Sequence, residues 1–196
     1  FTDQFRIDMD LLEGGLGRLV DISGTGSLDA SAQATLNLDF GIDLSNPSSP
    51  RPLVYETTSL EVQGRVAGED IEFTAAVGPL GIFIVLGEAV IDGDGELVST
   101  NDRAVLTLDL TDGNAATTDG EIYLDAIGFS NVQLDFTGRV AIDLPVFFPT
   151  STNFAGHLLL TVTDLGNIAG TTTITGPDFD AAIEDLEWDD LNILIE

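Results

Sequence analysis

Asp92-Gly93-Asp94-Gly95-Glu96 sets three carboxylates at alternate positions around two glycines. Closely spaced oxygen ligands on a glycine-permitted turn are what a calcium ion needs. The cluster lacks the third ligand, the following glycine and the distal glutamate of an EF-hand, so an acidic hairpin turn is the competing reading. Asp112, Asn114 and Asp119, with Glu121 beyond them, form a second and looser cluster. Ca2+ is thus the expected cofactor, with Asp92, Asp94, Glu96, Asp112, Asn114 and Asp119 as its candidate ligands.

Catalytic chemistry finds less to work with. The single histidine, His157, falls on the polar side of an alternating segment, and a general base needs a nucleophile and an orienting partner that the sequence does not identify. Paired carboxylates could cleave glycosides. Among 34 acidic residues, however, some pairs are close by chance, and only Trp188 offers an indole platform. Gly14-Gly15-Leu16-Gly17 and Gly24-Thr25-Gly26 do not join a buried strand to a helix, so they read as turns and not as dinucleotide fingerprints. No enzyme is expected.

The elements that would position these groups are strands. From Ala32 to Leu44 every even residue is apolar and every odd one is polar or glycine. A period of two describes a strand with one dry and one wet face. Val132 to Leu144 repeats the pattern, and the two segments are expected to anchor one core. Strands are also expected at 5–11, 17–22, 60–66, 71–77, 89–91, 104–110, 122–126, 158–162 and 171–175, at the spacing of an all-β sandwich or barrel. Ala67-Gly68-Glu69-Asp70 reads as the turn of a hairpin, and the unbroken apolar run Ile82–Leu86 as the centre of the core. Ser45 to Pro52, with three prolines, is a loop or sheet edge. Phe147-Phe148 is either an exposed apolar knob or strand-end packing. Leu60-Glu-Val-Gln-Gly-Arg-Val66 can be laid over Leu134-Asp-Phe-Thr-Gly-Arg-Val140, a faint internal repeat or the coincidence of two alternating strands.

Helical signals are confined to the C-terminus, where Thr175 to Asp178 resembles a capping box and Phe179, Ile183 and Leu186 form a narrow stripe. The expected architecture is therefore all-β: an antiparallel β-sandwich or flattened barrel of long amphipathic strands with one short acidic C-terminal helix. Residues 1–176 form one β domain, and 177–196, ending in the strand-like Leu191 to Ile195, a connector between modules.

Charge narrows the partners. The 196 residues carry a formal charge of −28, from 34 acidic residues against six arginines and no lysine. Nucleic acid and anionic surfaces are poor partners for such a chain. Compact acidic proteins repel themselves unless salt or cations screen them, which points to a saline or calcium-containing setting. The apolar content of 43% argues against disorder. Cysteine is absent, no run of about 18 apolar residues could span a bilayer as a helix, and a start at Phe1 suggests a processed product or a piece of something longer.

Leu36-Asn-Leu-Asp-Phe-Gly-Ile-Asp-Leu-Ser45, Val77-Gly-Pro-Leu-Gly81 and Leu144-Pro-Val-Phe-Phe-Pro-Thr150 are turn and strand phrases. With them, roughly residues 20–180 resemble the repeat modules of giant, acidic, extracellular bacterial tandem-repeat proteins, which often also carry hemolysin-type calcium-binding repeats. The glycine-aspartate nonapeptides of those calcium repeats are not present in this chain. The resemblance implies a secreted or cell-surface structural or adhesive module with no catalytic residues to carry over. Its partners would be neighbouring copies or modules joined by strand or helix exchange, with polysaccharide or another cell-surface contact as a further partner. The alternative is a β-groove that binds lipid or another hydrophobic ligand.

Overall fold

The computed structural model describes residues 2–10, 20–77, 80–98, 102–112 and 120–184. Twelve strands are present among them: β1 (Thr2–Asp10), β2 (Val20–Asn37), β3 (Phe40–Asp43), β4 (Arg51–Tyr55), β5 (Ser59–Val77), β6 (Leu80–Asp92), β7 (Ala104–Leu110), β8 (Glu121–Tyr123), β9 (Val132–Thr137), β10 (Arg139–Phe147), β11 (Phe154–Val162) and β12 (Thr172–Thr175). Two short helices, α1 (Ile168–Thr171) and α2 (Phe179–Glu184), sit near the C-terminus. The all-β antiparallel class read from the sequence is the class of the structure.

Nine strands form one antiparallel sheet, in the order β1-β2-β5-β6-β10-β11-β12, with β7 on β5 and β9 on β7. It is a meander with two strands interrupted. β5 pairs β6 through Val66–Val77 and β7 through Ser59–Gly64, so β6 and β7 lie end to end along one edge of β5. β9 and β10 lie end to end in the same way, against β7 and β6 respectively. A smaller sheet of β3, β4 and β8 holds the remaining three strands.

Several boundaries differ from the sequence reading, each for a local reason. Gly24 and Gly26 lie inside β2, where a turn was expected: both pair with β1, Gly24 also pairs with β5, and the β2–β5 register shifts at Gly26. Likewise Ala67–Asp70 is not a hairpin turn. Residues 59–77 form one strand of 19 residues whose register slips between Gly68 and Ile71, and Asp70 takes a positive φ of 52° in the bulge. An extra residue absorbed in a bulge bends a strand without ending it. Val132 to Leu144 is cut in two at Gly138, which has φ 151°. The run Ile82–Leu86 is not the core centre, since Ile82 and Leu86 are exposed.

Burial is greatest a few residues further along. Ala67, Val90 and Ala141 share one cross-strand row, and Val90 is only 1% exposed. The loop residue Leu97 packs over them. The next row, Val66, Ile91, Val140 and Val162, points to the opposite face by alternation. There Val140 and Val162 join Ala104, Leu160 and Leu165 in a second cluster. These two clusters lie on either side of the large sheet, and Leu53, Val54 and Ile122 of the small sheet are buried as well.

At the C-terminus, Asp178 caps α2 by accepting from the Ala181 amide at 3.0 Å. Phe179 then packs edge-on against Phe148 with ring centroids 5.2 Å apart, so Phe148 serves strand-end packing. Phe147 meets Phe154 at 5.5 Å. Asn153 donates to the Ala182 carbonyl at 2.8 Å, docking α2 onto the sheet. The strand-like tail Leu191 to Ile195 and Trp188 lie outside the described residues.

Candidate interaction surface

The alternation at Ala32–Leu44 was expected to mark a dry face, and the structure overturns that expectation. Leu36, Leu38, Phe40, Ile42 and Leu44 are all exposed, Leu36 at 63%. Register explains what they belong to. Leu36 pairs with Leu60, Leu60 with Leu108, and Leu108 with Leu134. The adjacent row on the same face is Ala34, Val62, Leu106 and Phe136. Four neighbouring strands therefore present eight apolar residues side by side. Leu134 is 65% exposed, and Leu106 and Phe136 are exposed as well. Residues 32–37 and 132–137 of the two segments share one sheet face with β5 and β7 between them, Phe40–Asp43 belongs to the small sheet, and the two alternations do not pack on each other.

The opposite face of the same strands is polar. Thr35, Glu61, Thr107 and Asp135 make one row, and Asn37, Ser59, Asp109 and Gln133 another. A sheet with one wetted face and one apolar face ordinarily packs the apolar side. Here that side stands open.

The internal repeat has a structural counterpart in this sheet. Leu60 and Leu134 flank Leu108, Val62 and Phe136 flank Leu106, and Val66 and Val140 flank Ile91. On the other face, the two arginines of the repeat, Arg65 and Arg139, lie on either side of Asp92. Arg139 pairs with Asp92 in register, and Arg65 Nε lies 3.6 Å from the Asp92 carboxylate. Asp92 has no exposed side-chain surface.

That arrangement defines the setting of the first candidate metal cluster. Asp92 Oδ1 accepts from the Gly95 amide at 2.7 Å, and Asp94 Oδ1 from the Glu96 amide at 3.0 Å. The carboxylates thus stabilise the turn itself, Gly95 supplying the positive φ of 70°, while Arg65 provides the nearby positive charge. In the second cluster, the Asp112 amide donates to Glu56 at 2.7 Å, and Asn131 donates to the Asp112 carbonyl. Asn114 and Asp119 lie outside the described residues. Among the described residues, no three metal-ligating side chains converge.

His157 Nδ1 meets the Asp143 carboxylate across the β10–β11 pair, and Phe154 stands edge-on to its ring at 5.2 Å. A polar staple that the sequence reading missed ties the small sheet together. Tyr123 donates its hydroxyl to Asp43 at 2.9 Å, and Arg51 lies 3.7 Å over the Tyr123 ring while donating twice to Asp125. The Ser45 amide also donates to Asp43 at 2.8 Å. That backbone bond, with the Ser45 and Tyr123 side chains, holds the Asp43 carboxyl below its ordinary pKa. The same contact with Asp43 pushes the Tyr123 phenol up. Neither residue carried a sequence signal, because Asp43 and Tyr123 are eighty positions apart and meet only through strand pairing. No protein-family model, characterised protein or solved structure matches the chain.

Proposed function

We propose that the chain is a non-catalytic structural module of a large extracellular protein. Its open apolar sheet face, in this reading, is the surface that neighbouring copies or modules cover. The observation that carries this is the pair of rows ending at Leu134 and Phe136: a contiguous apolar face on a highly charged chain is a contact surface. A hydrophobic-ligand site is the weaker reading. The apolar hollow lined by Gly24, Gly26, Leu28, Gly68, Ile71 and Phe73 holds only about 270 Å3, against the roughly 300–1,000 Å3 usual for small-molecule pockets, and the larger one beside it, about 720 Å3, is lined by Asp29, Arg65, Glu69, Asp70 and Glu72, which suit a hydrophobic ligand poorly. The wide face suits another sheet better, since stacked sheets pack face to face about 10 Å apart.

Leu134→Glu tests the assignment, because Leu134 is exposed and the substitution leaves the core clusters untouched. Sedimentation at rising concentration is expected to show self-association of the wild type that the variant weakens at least tenfold. A variant that associates like the wild type would exclude the face as the contact. If instead the wild type stays monomeric and floats with phosphatidylcholine vesicles, the lipid reading replaces this one.

A further inference from the structure

Phe129 is 99% exposed, more than any other large apolar side chain among the described residues. Its position is nonetheless fixed. It opens a single 3-10 turn, Phe129–Asn131, which the buried Asn131 ties down. The Asn131 side chain accepts from the Gly128 amide at 3.0 Å and donates to the Thr111 carbonyl at 2.9 Å, and its main-chain carbonyl accepts from the Thr111 amide at 2.9 Å. Leu124 and Ile127, just before the turn, are exposed as well, and residues 126–134 carry no charge in a chain of −28. An aromatic ring held out on a tied, neutral turn has the form of a docking knob.

The apolar hollow is its counterpart. Gly24, Gly26 and Gly68 leave the space, and Leu28, Ile71 and Phe73 wall it. A Cβ built on Gly26 would meet Ile71 at an ordinary 3.6 Å, so the recess is room that a side chain there would fill. An apolar cavity of roughly 150 Å3 already admits benzene, and the about 270 Å3 here has room for a phenylalanine ring. Residues 22–28 carry no charge, and Glu72 is the one charged residue of the lining. Alternation along β2 from Leu36 back to Leu28 puts the hollow on the open apolar face.

We infer that Phe129 of one copy seats in this hollow of another. The ring cannot reach the hollow of its own chain. Phe129 precedes Val132, which lies one row beyond Leu134, whereas Gly26 lies ten residues from Leu36 in the opposite direction, roughly 33 Å along β2 at about 3.3 Å per residue. The contact therefore joins two different patches on two copies. Both patches are neutral, so two chains of −28 meet there without bringing like charges together.

This inference rests on the assembly reading above but concerns residues away from the Leu134 row, so the two fail separately. Sedimentation at rising concentration is expected to show association weakened about tenfold or more by Phe129→Ala, and likewise by Gly26→Val, which fills the hollow. Neither substitution changes the charge. Val98→Ala trims a side chain that is 90% exposed elsewhere and should leave association as it is. An equimolar mixture of the two variants is the sharpest test, because Gly26→Val keeps its knob and Phe129→Ala keeps its hollow. Native mass spectrometry should find one-to-one heterodimers in excess of either homodimer. Circular dichroism melts confirm that each variant is folded, and Phe129→Ala, which removes almost no buried surface, decides the matter if Gly26→Val does not fold. Unchanged association in Phe129→Ala, an equal loss in Val98→Ala, or no excess heterodimer from two folded variants overturns the inference. So does benzene binding that Gly26→Val abolishes while association stays unchanged, which would give the hollow to a small apolar ligand. A loss in Leu134→Glu with none in Phe129→Ala keeps the face and removes this contact, the reverse keeps this contact and removes the face, and a wild type that is monomeric at every concentration overturns both.

Discussion

Asp43 and Tyr123 add a polar staple to a small sheet whose Leu53, Val54 and Ile122 are buried. Hydrogen bonds from the Ser45 amide, the Ser45 side chain and Tyr123 favour the charged carboxylate, so the folded state binds that proton more weakly than the unfolded chain does. The resulting stability is present above the unfolded aspartate pKa and is lost as pH falls through the lower folded value. For Tyr123 the sign reverses. Its raised pKa adds stability below the ordinary phenol value, and that gain disappears as pH rises through the folded pKa. The staple is therefore intact across the whole range between these two titrations. Side-chain NMR titration is expected to place the Asp43 midpoint below that of an unstructured aspartate and Tyr123 above that of free tyrosine. Asp43→Asn should return Tyr123 to the ordinary range, and an unmoved Tyr123 midpoint in that variant would break the assignment.

At the scale of the elements, Gly138 shows what the alternating pattern could and could not convey. The period of two carries through Val132–Leu144 with Gly138 standing where an apolar residue belongs, and it located both β9 and β10, but a glycine within a strand pattern signals a bulge or a close approach as readily as an end. The break comes from packing. A Cβ on Gly138 would lie 2.7 Å from the Ala104 Cβ and 2.9 Å from the Asp92 carbonyl, on a residue at φ 151°. Gly138→Ala is expected to cost about 2–5 kcal/mol, combining backbone strain and overpacking. Gly176→Ala, with nothing within 4 Å, should fall within about 0.5 kcal/mol of wild type. Denaturant midpoints of the two variants check the contrast. The same limit explains Ala67–Asp70, whose residue types suit a turn or a bulge equally. The choice lies in distant partners, Ser27 opposite Glu69 and Gly87 opposite Ile71. Strand existence was legible because alternation is local; whether the apolar side of Leu36 is covered was not, because coverage depends on a neighbour that no period encodes. The repeat of Leu60–Val66 at Leu134–Val140 was visible as a phrase, and only register gave it meaning, by setting two arginines about Asp92.

For the whole molecule, the balance between a charge of −28 and an open apolar face makes the ionic environment decisive. Screening shortens the reach of self-repulsion to about 10 Å at 0.1 M salt and about 3 Å at 1 M, so both the folded state and the approach of a second copy gain from salt. A bound ion would act differently from screening. At a hundredfold excess over its dissociation constant it contributes about 2.7 kcal/mol, and at about 2–4 °C per kcal/mol a chain of this size would melt roughly 5–10 °C higher. Asp92 faces Arg65 and its cluster is spent on turn hydrogen bonds, which leaves little for calcium to gain there. Thermal melts in sodium chloride and in calcium chloride at equal ionic strength separate the two effects. Both are expected to rise together, agreeing within about 2 °C, less than a single specific site would add. A calcium excess of the larger size would instead assign a bound ion, and Asp94→Asn and Asp112→Asn would then locate it, since only the variant at the true site should return the calcium melt to the sodium value.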